Sequence, residues 1–470
     1  MEDLAEFVVD YASKLGATYV DVRIEEHYDE AIEVMNGVSE KHVVIRKKGA
    51  GIRVLANGAW GFHSTTNLTR GDLRKTAEVA FKVAKASSKH LREPAKLAPI
   101  KVVKDYVKTK AMEDVEHMDV EEKLRYCIEW DKAMRVSEEV KRTSTSFSCI
   151  KTKKIFASSE GALIRFENHV LWVSISSFAK RADLIQSYSQ VEGGSGGFEL
   201  LKQVNIYEVA EKVGRKSVEL LDAEAAPKME KVHVVMDPDY VALLVHEIVG
   251  HPSEADRVLE REAAWAGTTW WKGLEGQKIG SELLTVYDDP TIEGTLGFYL
   301  YDDEGTPARR KVLIEDGILK ERMHSRETAA IFGAEPNAGM RAITYEFIPL
   351  IRMSNTFIAK GDWKKEEIIE ETKRGVYVVG MKHPSIDDKR YNWTISAQEG
   401  YLIENGELTK HLRDIALMAI APEFFKSIDA VADDLEIRSV PGCGKGTPMQ
   451  ALYVGNGGPT IRGIVNVLGV

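Results

Sequence analysis

Hydrophobic positions recur at helical spacing over residues 2–15 and then give way to short runs of β-formers: Tyr19 to His27, Ala31 to Met35, Lys41 to Arg46, Gly51 to Leu55 and Trp60 to Ser64. Asn36-Gly37 and Asn57-Gly58 fall between these runs. Asn-Gly is the favoured pair where two successive residues need φ > 0, so the pattern predicts a helix followed by an antiparallel meander. Helical spacing returns from about Thr69 to Ser88, near Val120 to Val136 and near Asn205 to Leu221, with strands predicted from Val140 to Gln190. The helix-and-meander theme thus occurs twice, as architecture without a residue-level repeat. Gly193-Gly-Ser-Gly-Gly197 reads as a flexible loop rather than an anion cradle, and Asp222-Ala-Glu-Ala-Ala-Pro-Lys228 as a linker.

Beyond the linker, strand-like segments dominate, with Asp316-Gly317 and Asn405-Gly406 as hairpin turns and helical patterns only at Asp237 to Gly250 and Glu366 to Arg374. The predicted class is α+β: an N-terminal antiparallel sheet with flanking helices over residues 1–222, and a mostly-β domain over residues 228–470 that carries a metal-binding helix.

That helix is the most informative stretch. Val232 to Met236 reads as a strand, Asp237 as an N-cap and Pro238 as the first helical residue. The apolar run Val241-Ala-Leu-Leu-Val-His-Glu-Ile-Val-Gly-His251 then places two histidines and a glutamate where core residues are expected. A buried histidine is ordinarily a hydrogen-bonded core residue, but two of them beside a Glu are hard to justify for packing, since each polar group must be satisfied. The spacing departs from the H-E-x-x-H of zinc peptidases by one extra residue. On a regular helix, five positions leave the imidazoles about 140° apart, whereas four leave about 40°. One wide π-type turn, or unwinding at the helix end, realigns them, and Gly250 and Pro252 favour either distortion.

Two imidazoles are too few for a tight zinc centre, which takes three protein ligands plus an open position. Only three cysteines are available. Cys127 lies in an amphipathic helical pattern and Cys149 in a strand, so both read as small core residues. Cys443 lies in Val440-Pro-Gly-Cys-Gly-Lys-Gly-Thr447, a glycine-rich turn free to aim a thiolate at a distant ion. The same stretch fails as a phosphate-binding loop, because Gly446 follows the lysine and Ser439 stands where the first glycine belongs.

Taken with Tyr301-Asp-Asp-Glu-Gly-Thr-Pro307, Val312-Leu-Ile-Glu-Asp-Gly-Ile-Leu319, Arg352-Met-Ser-Asn-Thr356 and Ala397-Gln-Glu-Gly-Tyr-Leu-Ile-Glu-Asn-Gly406, these motifs resemble the TldD/PmbA family over nearly the whole chain, and its TldD-type catalytic branch in particular. The resemblance implies a zinc metallopeptidase in which His246, His251 and Cys443 hold Zn2+ and Glu247 is the catalytic carboxylate. It also implies a dimer, either of two copies or with a PmbA/TldE-like chain. The substrate expected is a short peptide or an unfolded segment.

Composition agrees. A chain of 470 residues with 44% hydrophobic content exceeds one typical core. The acidic, amphipathic start is unlike a secretory signal, no apolar run approaches the roughly 20 residues of a membrane span, and three cysteines suit a reducing, cytoplasmic setting. A net charge of −10 argues against nucleic acid as a partner. The basic clusters Arg46-Lys-Lys-Gly49 and Lys151-Thr-Lys-Lys154 read as solvated strand ends. Asp302, Asp303 and Glu304 read as a turn bordering a cleft; Trp265, Trp270 and Trp271 either line that cleft or pack over it. The competing function class is a non-catalytic assembly partner with a structural metal, which would need a fourth protein ligand and leave Glu247 without a task.

Overall fold

The computed structural model describes residues 1–91, 93–262 and 267–469. Its N-terminal half is built on one seven-stranded sheet. The strands are β1 (Tyr19–Met35), β2 (Val38–Ala56), β3 (Ala59–Thr65), β4 (Lys104–Lys108), β5 (Val140–Ser158), β6 (Leu163–Arg181) and β7 (Leu184–Ser195), ordered β3-β2-β1-β5-β6-β4 with β7 also on β6. All pairs are antiparallel except β4–β6. Both Asn-Gly turns have the expected positive φ, 54° and 76° at Asn36 and Gly37, 51° and 78° at Asn57 and Gly58. Helix Arg70–Ser87 starts where Thr69 accepts the Asp72 amide.

The runs expected as separate strands on either side of residues 28–30 and 47–50 are in fact continuous. Alternation along β1 explains why. Val20, Val22, Ile24, Ile32 and Val34 face the helices Glu2–Lys14, Arg70–Ser87, Val120–Ala133 and Ile206–Glu219, whereas Asp21, Arg23, Glu25 and His27 are buried on the opposite face against the C-terminal half. The charged positions of this run are therefore an interior face, and residues 28–30 and 47–50 carry the pairing straight through. Gly193 and Gly194 likewise belong to β7 and not to a loop: a Cβ on Gly193 would lie 2.3 Å from the Leu171 carbonyl oxygen, and one on Gly194 2.1 Å from that of Gly294. Close backbone approach, not flexibility, explains the glycines.

The predicted linker is also structured, since Glu224–Ala225 adds in parallel to Leu412–Arg413. Beyond it, strands Met229–Met236, Arg374–Ile386, Asn392–Glu404, Ala416–Ile420 and Ile461–Leu468 pair in a closed ring. A six-stranded sheet stands beside this barrel, running Ile318–Leu319, Lys311–Glu315, Val286–Asp288, Asn355–Ile358, Gln450–Gly458, Glu436–Lys445. Helix Pro238–Val245 is wedged between them and from Tyr240 on is apolar and buried on all sides. The expected helix near residues 366–374 is Lys365–Glu370, and helices not anticipated, Ala255–Val258, Arg326–Phe332 and Ala421–Ser427, are present. Among the described residues no helix is long and apolar enough to cross a membrane.

The halves are tied by buried charge. Asp302, Asp303 and Glu304 form the expected turn, closed by the Gly305 amide on the Asp302 carbonyl, but all three side chains are buried. Asp303 pairs with Lys154 at 2.5 Å, and Glu304 with Arg53 at 3.2 Å, itself bound to Asp21. Asp302 accepts the amides of Glu304, Thr306 and Met340. The basic clusters are therefore only partly solvated, since Lys151 also pairs with Asp114 at 2.5 Å and Glu116 at 2.9 Å.

Candidate metal centre

Strand Met229–Met236 delivers the chain to Asp237, whose carboxylate accepts the amides of Tyr240 at 2.8 Å and Gly380 at 3.0 Å. The regular helix lasts only to Val245. His246–Gly250 is a single π-helical turn, closed by the His251 amide on the His246 carbonyl, and His251–Ser253 tightens into a 3-10 turn. A bond from i to i+5 returns the fifth residue to the same side. The imidazole centroids are 4.9 Å apart and perpendicular.

Cys443 comes from the far end of the chain. It sits in strand Glu436–Lys445 and not in a turn, at a bulge between Val440 and Cys443 that shifts register against Gln450–Gly458. A bulge re-aims a side chain without breaking the pairing around it. The ligand atoms of His246, His251 and Cys443 lie within 4.8 Å of one another, and all three side chains are buried. Cys443 Sγ is 3.6 Å from His251 Nε2. Cys127 and Cys149, by contrast, are in the N-terminal core, where burial pushes both thiols up, Cys127 to about 12.

Each imidazole is held by its other nitrogen. His246 Nδ1 meets Asn456 Oδ1 at 2.9 Å, and the Asn456 amide nitrogen donates to the Thr356 carbonyl at 3.4 Å, which fixes which way the side chain points. His251 Nδ1 meets Glu254 Oε2 at 3.2 Å. That carboxylate also takes Arg257 Nε at 2.9 Å and Lys445 Nζ at 3.2 Å. Burial alone would raise the Cys443 thiol, but His246, His251 and Arg352 outweigh it and hold Cys443 well below its ordinary value. Burial would lower His246, yet the Cys443 sulfur beside it pushes it up to about 9. With Nδ1 of each imidazole taken by an outer partner, Nε2 is the atom left for ligation beside the Cys443 sulfur. Two such nitrogens, one thiolate and oriented outer partners fit a zinc-type donor set.

Glu247 stands outside the three-residue cluster. Its carboxylate is bound by Arg390, and both side chains keep slight exposure, 12% and 14%. Trp271 is fully buried in the core. Trp270 packs on Tyr391 and Phe425 with centroids 6.3 and 5.9 Å away, and Trp265 lies outside the described residues. Sequence reading missed Asn456, Glu254, Lys445 and Arg390. Only Glu254 left a signal, three residues beyond His251 in a tight turn; nothing in the spacing marks the other three.

Three family profiles match the chain: PmbA/TldA metallopeptidase domain 1 over residues 20–84, the central domain over 113–221 and the C-terminal domain over 229–464. A metalloprotease of Methanocaldococcus jannaschii is 36% identical over 96% of both chains. A protein of Saccharolobus solfataricus named zinc metalloprotease TldD homolog is 29% identical over 96% of both. Among solved structures, TldE from Thermococcus kodakarensis shares the fold with a TM-score of 0.77 at 19% identity, over 99% of this chain and 100% of that one.

Proposed function

Because this chain belongs to the PmbA/TldD metallopeptidase family, we propose that it is a zinc-dependent peptidase acting on short or unfolded peptides, with His246, His251 and Cys443 as metal ligands and Glu247 as the catalytic carboxylate. The observation that carries this reading is a buried cluster of three ligand atoms with a carboxylate next in sequence but outside it. Zinc held there supplies a Lewis acid that polarises a scissile carbonyl and lowers the pKa of a bound water. Glu247 takes a proton from the attacking water at a carboxylate oxygen and returns it to the leaving amine. Asn456 and Glu254 keep the two imidazoles in the tautomer and orientation that ligation requires.

The strand carrying Cys443 supports a peptide substrate. It is the last strand of its sheet, so among the described residues one edge has no paired strand, and an extended peptide can add its own backbone bonds there. A folded protein has those groups already paired.

Pairing with a second copy or with a TldE-like chain belongs to the same proposal. So does a cytoplasmic setting, which three free, buried cysteines suit. A structural metal in a non-catalytic partner fits less well. A closed site needs a fourth protein ligand, and the cluster among the described residues has three. The test is elemental analysis together with peptide hydrolysis by the purified chain, alone and with a TldE-like partner. Bound zinc without hydrolysis in either case would favour the structural role.

A further inference from the structure

Arg390 is presented to Glu247 by a constructed turn. It lies at the tip of the hairpin between strands Arg374–Ile386 and Asn392–Glu404, with a left-handed φ of 61° that residues with a Cβ rarely adopt. The Asp387 carboxylate accepts the amides of Tyr391 at 2.7 Å and Asn392 at 3.1 Å, and the Asp387 carbonyl accepts the Arg390 amide at 2.9 Å. The Trp270 amide, donating to the Lys389 carbonyl at 3.0 Å, fastens the turn to the segment that follows the metal-binding helix.

Among the described residues, the bond from Nη1 to Glu247 is the guanidinium's one hydrogen bond, and Nε is a buried donor with no partner. The other cations at the site are committed. Arg352 donates to the carbonyls of Cys443 and Gln450, and Lys445 is held by Glu254, Asp256 and the Ile351 carbonyl, both side chains being fully buried. Arg390 keeps 14% of its side chain exposed. Of these three cations it is the one a substrate can reach.

We propose that Arg390 is a substrate-binding residue whose Nη2, unpartnered and not buried, receives a carboxylate of the peptide. A bond from this guanidinium nitrogen to a carboxylate is charge-assisted, roughly twice as strong as one between neutral groups. A carboxylate docked there lies roughly 7 Å from that of Glu247, about two extended residues. The substrate class is therefore peptides with a free C-terminal carboxylate, or an acidic side chain, about two residues beyond the cleaved bond. This rests on the peptidase reading and deepens it.

The experiment uses the zinc-loaded protein and three peptides alike around the cleaved bond: a C-terminal acid, its amide, and the amide with Glu as second residue after that bond. The parent should favour the acid over the amide by about tenfold, expressed in KM more than in kcat. Arg390→Gln should bring the two within about twofold, and Arg390→Lys should restore only part of the preference. Recovery by the Glu peptide assigns an acidic side chain; its failure to recover assigns the α-carboxylate. If the parent does not discriminate acid and Glu peptide from plain amide, or if Arg390→Gln slows all three alike with the preference intact, Arg390 merely pairs with Glu247 and the inference falls. Should the parent cleave no peptide, the peptidase reading fails by itself. Calorimetric binding of acid and amide to the Glu247→Gln protein then decides Arg390 separately, equal binding overturning its role.

Discussion

His246 and His251 meet edge to face, centroids 4.9 Å apart, although they stand five positions apart along a helix. The wide turn that allows this is closed by the amide of one histidine on the carbonyl of the other, so the metal-binding geometry and the backbone distortion are one feature. Met353 lies against it: a Cβ added at Gly250 would come within 2.8 Å of the Met353 methyl carbon.

Cys443→Ala should lower zinc affinity strongly, whereas Cys127→Ala and Cys149→Ala should leave it unchanged. The first removes the thiolate of the proposed ligand set, and the other two open small gaps in the N-terminal core. Competition with a chelator measures the difference. Parent-like zinc binding by Cys443→Ala would sink the assignment.

Glu247→Gln should retain zinc and lose about 10²–10⁴-fold in turnover, the range ascribed to general acid–base catalysis. Metal content and peptide hydrolysis are read on one preparation. Parent-like turnover would remove Glu247 from the chemistry.

Asn456→Ala and Glu254→Gln should each weaken zinc binding by about 10–100-fold, because each loses the group that orients an imidazole. Their stabilities should diverge. Glu254 also neutralises Arg257 and Lys445 at the same buried point, and removing one partner of such a set costs about 3–5 kcal/mol. Chelator competition and thermal unfolding of the metal-free proteins separate the two effects, and equal destabilisation would contradict this account.

His324 gives the chain an acid-sensitive element away from the metal centre. Burial, with the Arg322 charge adding to it, lowers its pKa from 6.5 to about 4. The unfolded state therefore takes up the proton first as pH falls. Stability should be full above about pH 6.5 and decline toward pH 4, by up to about 3 kcal/mol from this residue. In His324→Gln, which keeps a polar group toward Thr328, unfolding midpoints measured across that range should fall less steeply than in the parent. An unchanged slope would show that other groups govern the acid limb.

A substrate protein and a destabilised variant with the same cleavage-site sequence should be cut at very different rates, the unfolded form faster, at equal enzyme and zinc. The reason is that only unpaired backbone can add to the strand edge beside Cys443. Equal rates at a site buried in the folded form would rule out access by extended peptide.

Much of this molecule is written in local sequence. The Asn-Gly pairs at 36–37 and 57–58, the Asp237 cap with Pro238, and the two histidines in an apolar run are set by backbone conformation and by the cost of burying polar groups, which neighbouring residues suffice to express. Even the wide turn was legible, because five-residue spacing is incompatible with a regular helix if both rings serve one ion. What only the tertiary structure decided are the partners that arrive from elsewhere. Cys443 reaches His251 across 192 residues through a strand bulge, Asn456 meets His246 across 210, and Arg390 meets Glu247 across 143. The interior burial of the charged face of β1 and the place of Gly193 and Gly194 in β7 are not legible for the same reason: they are imposed by packing against other segments, and periodicity along a segment carries no information about what lies opposite it.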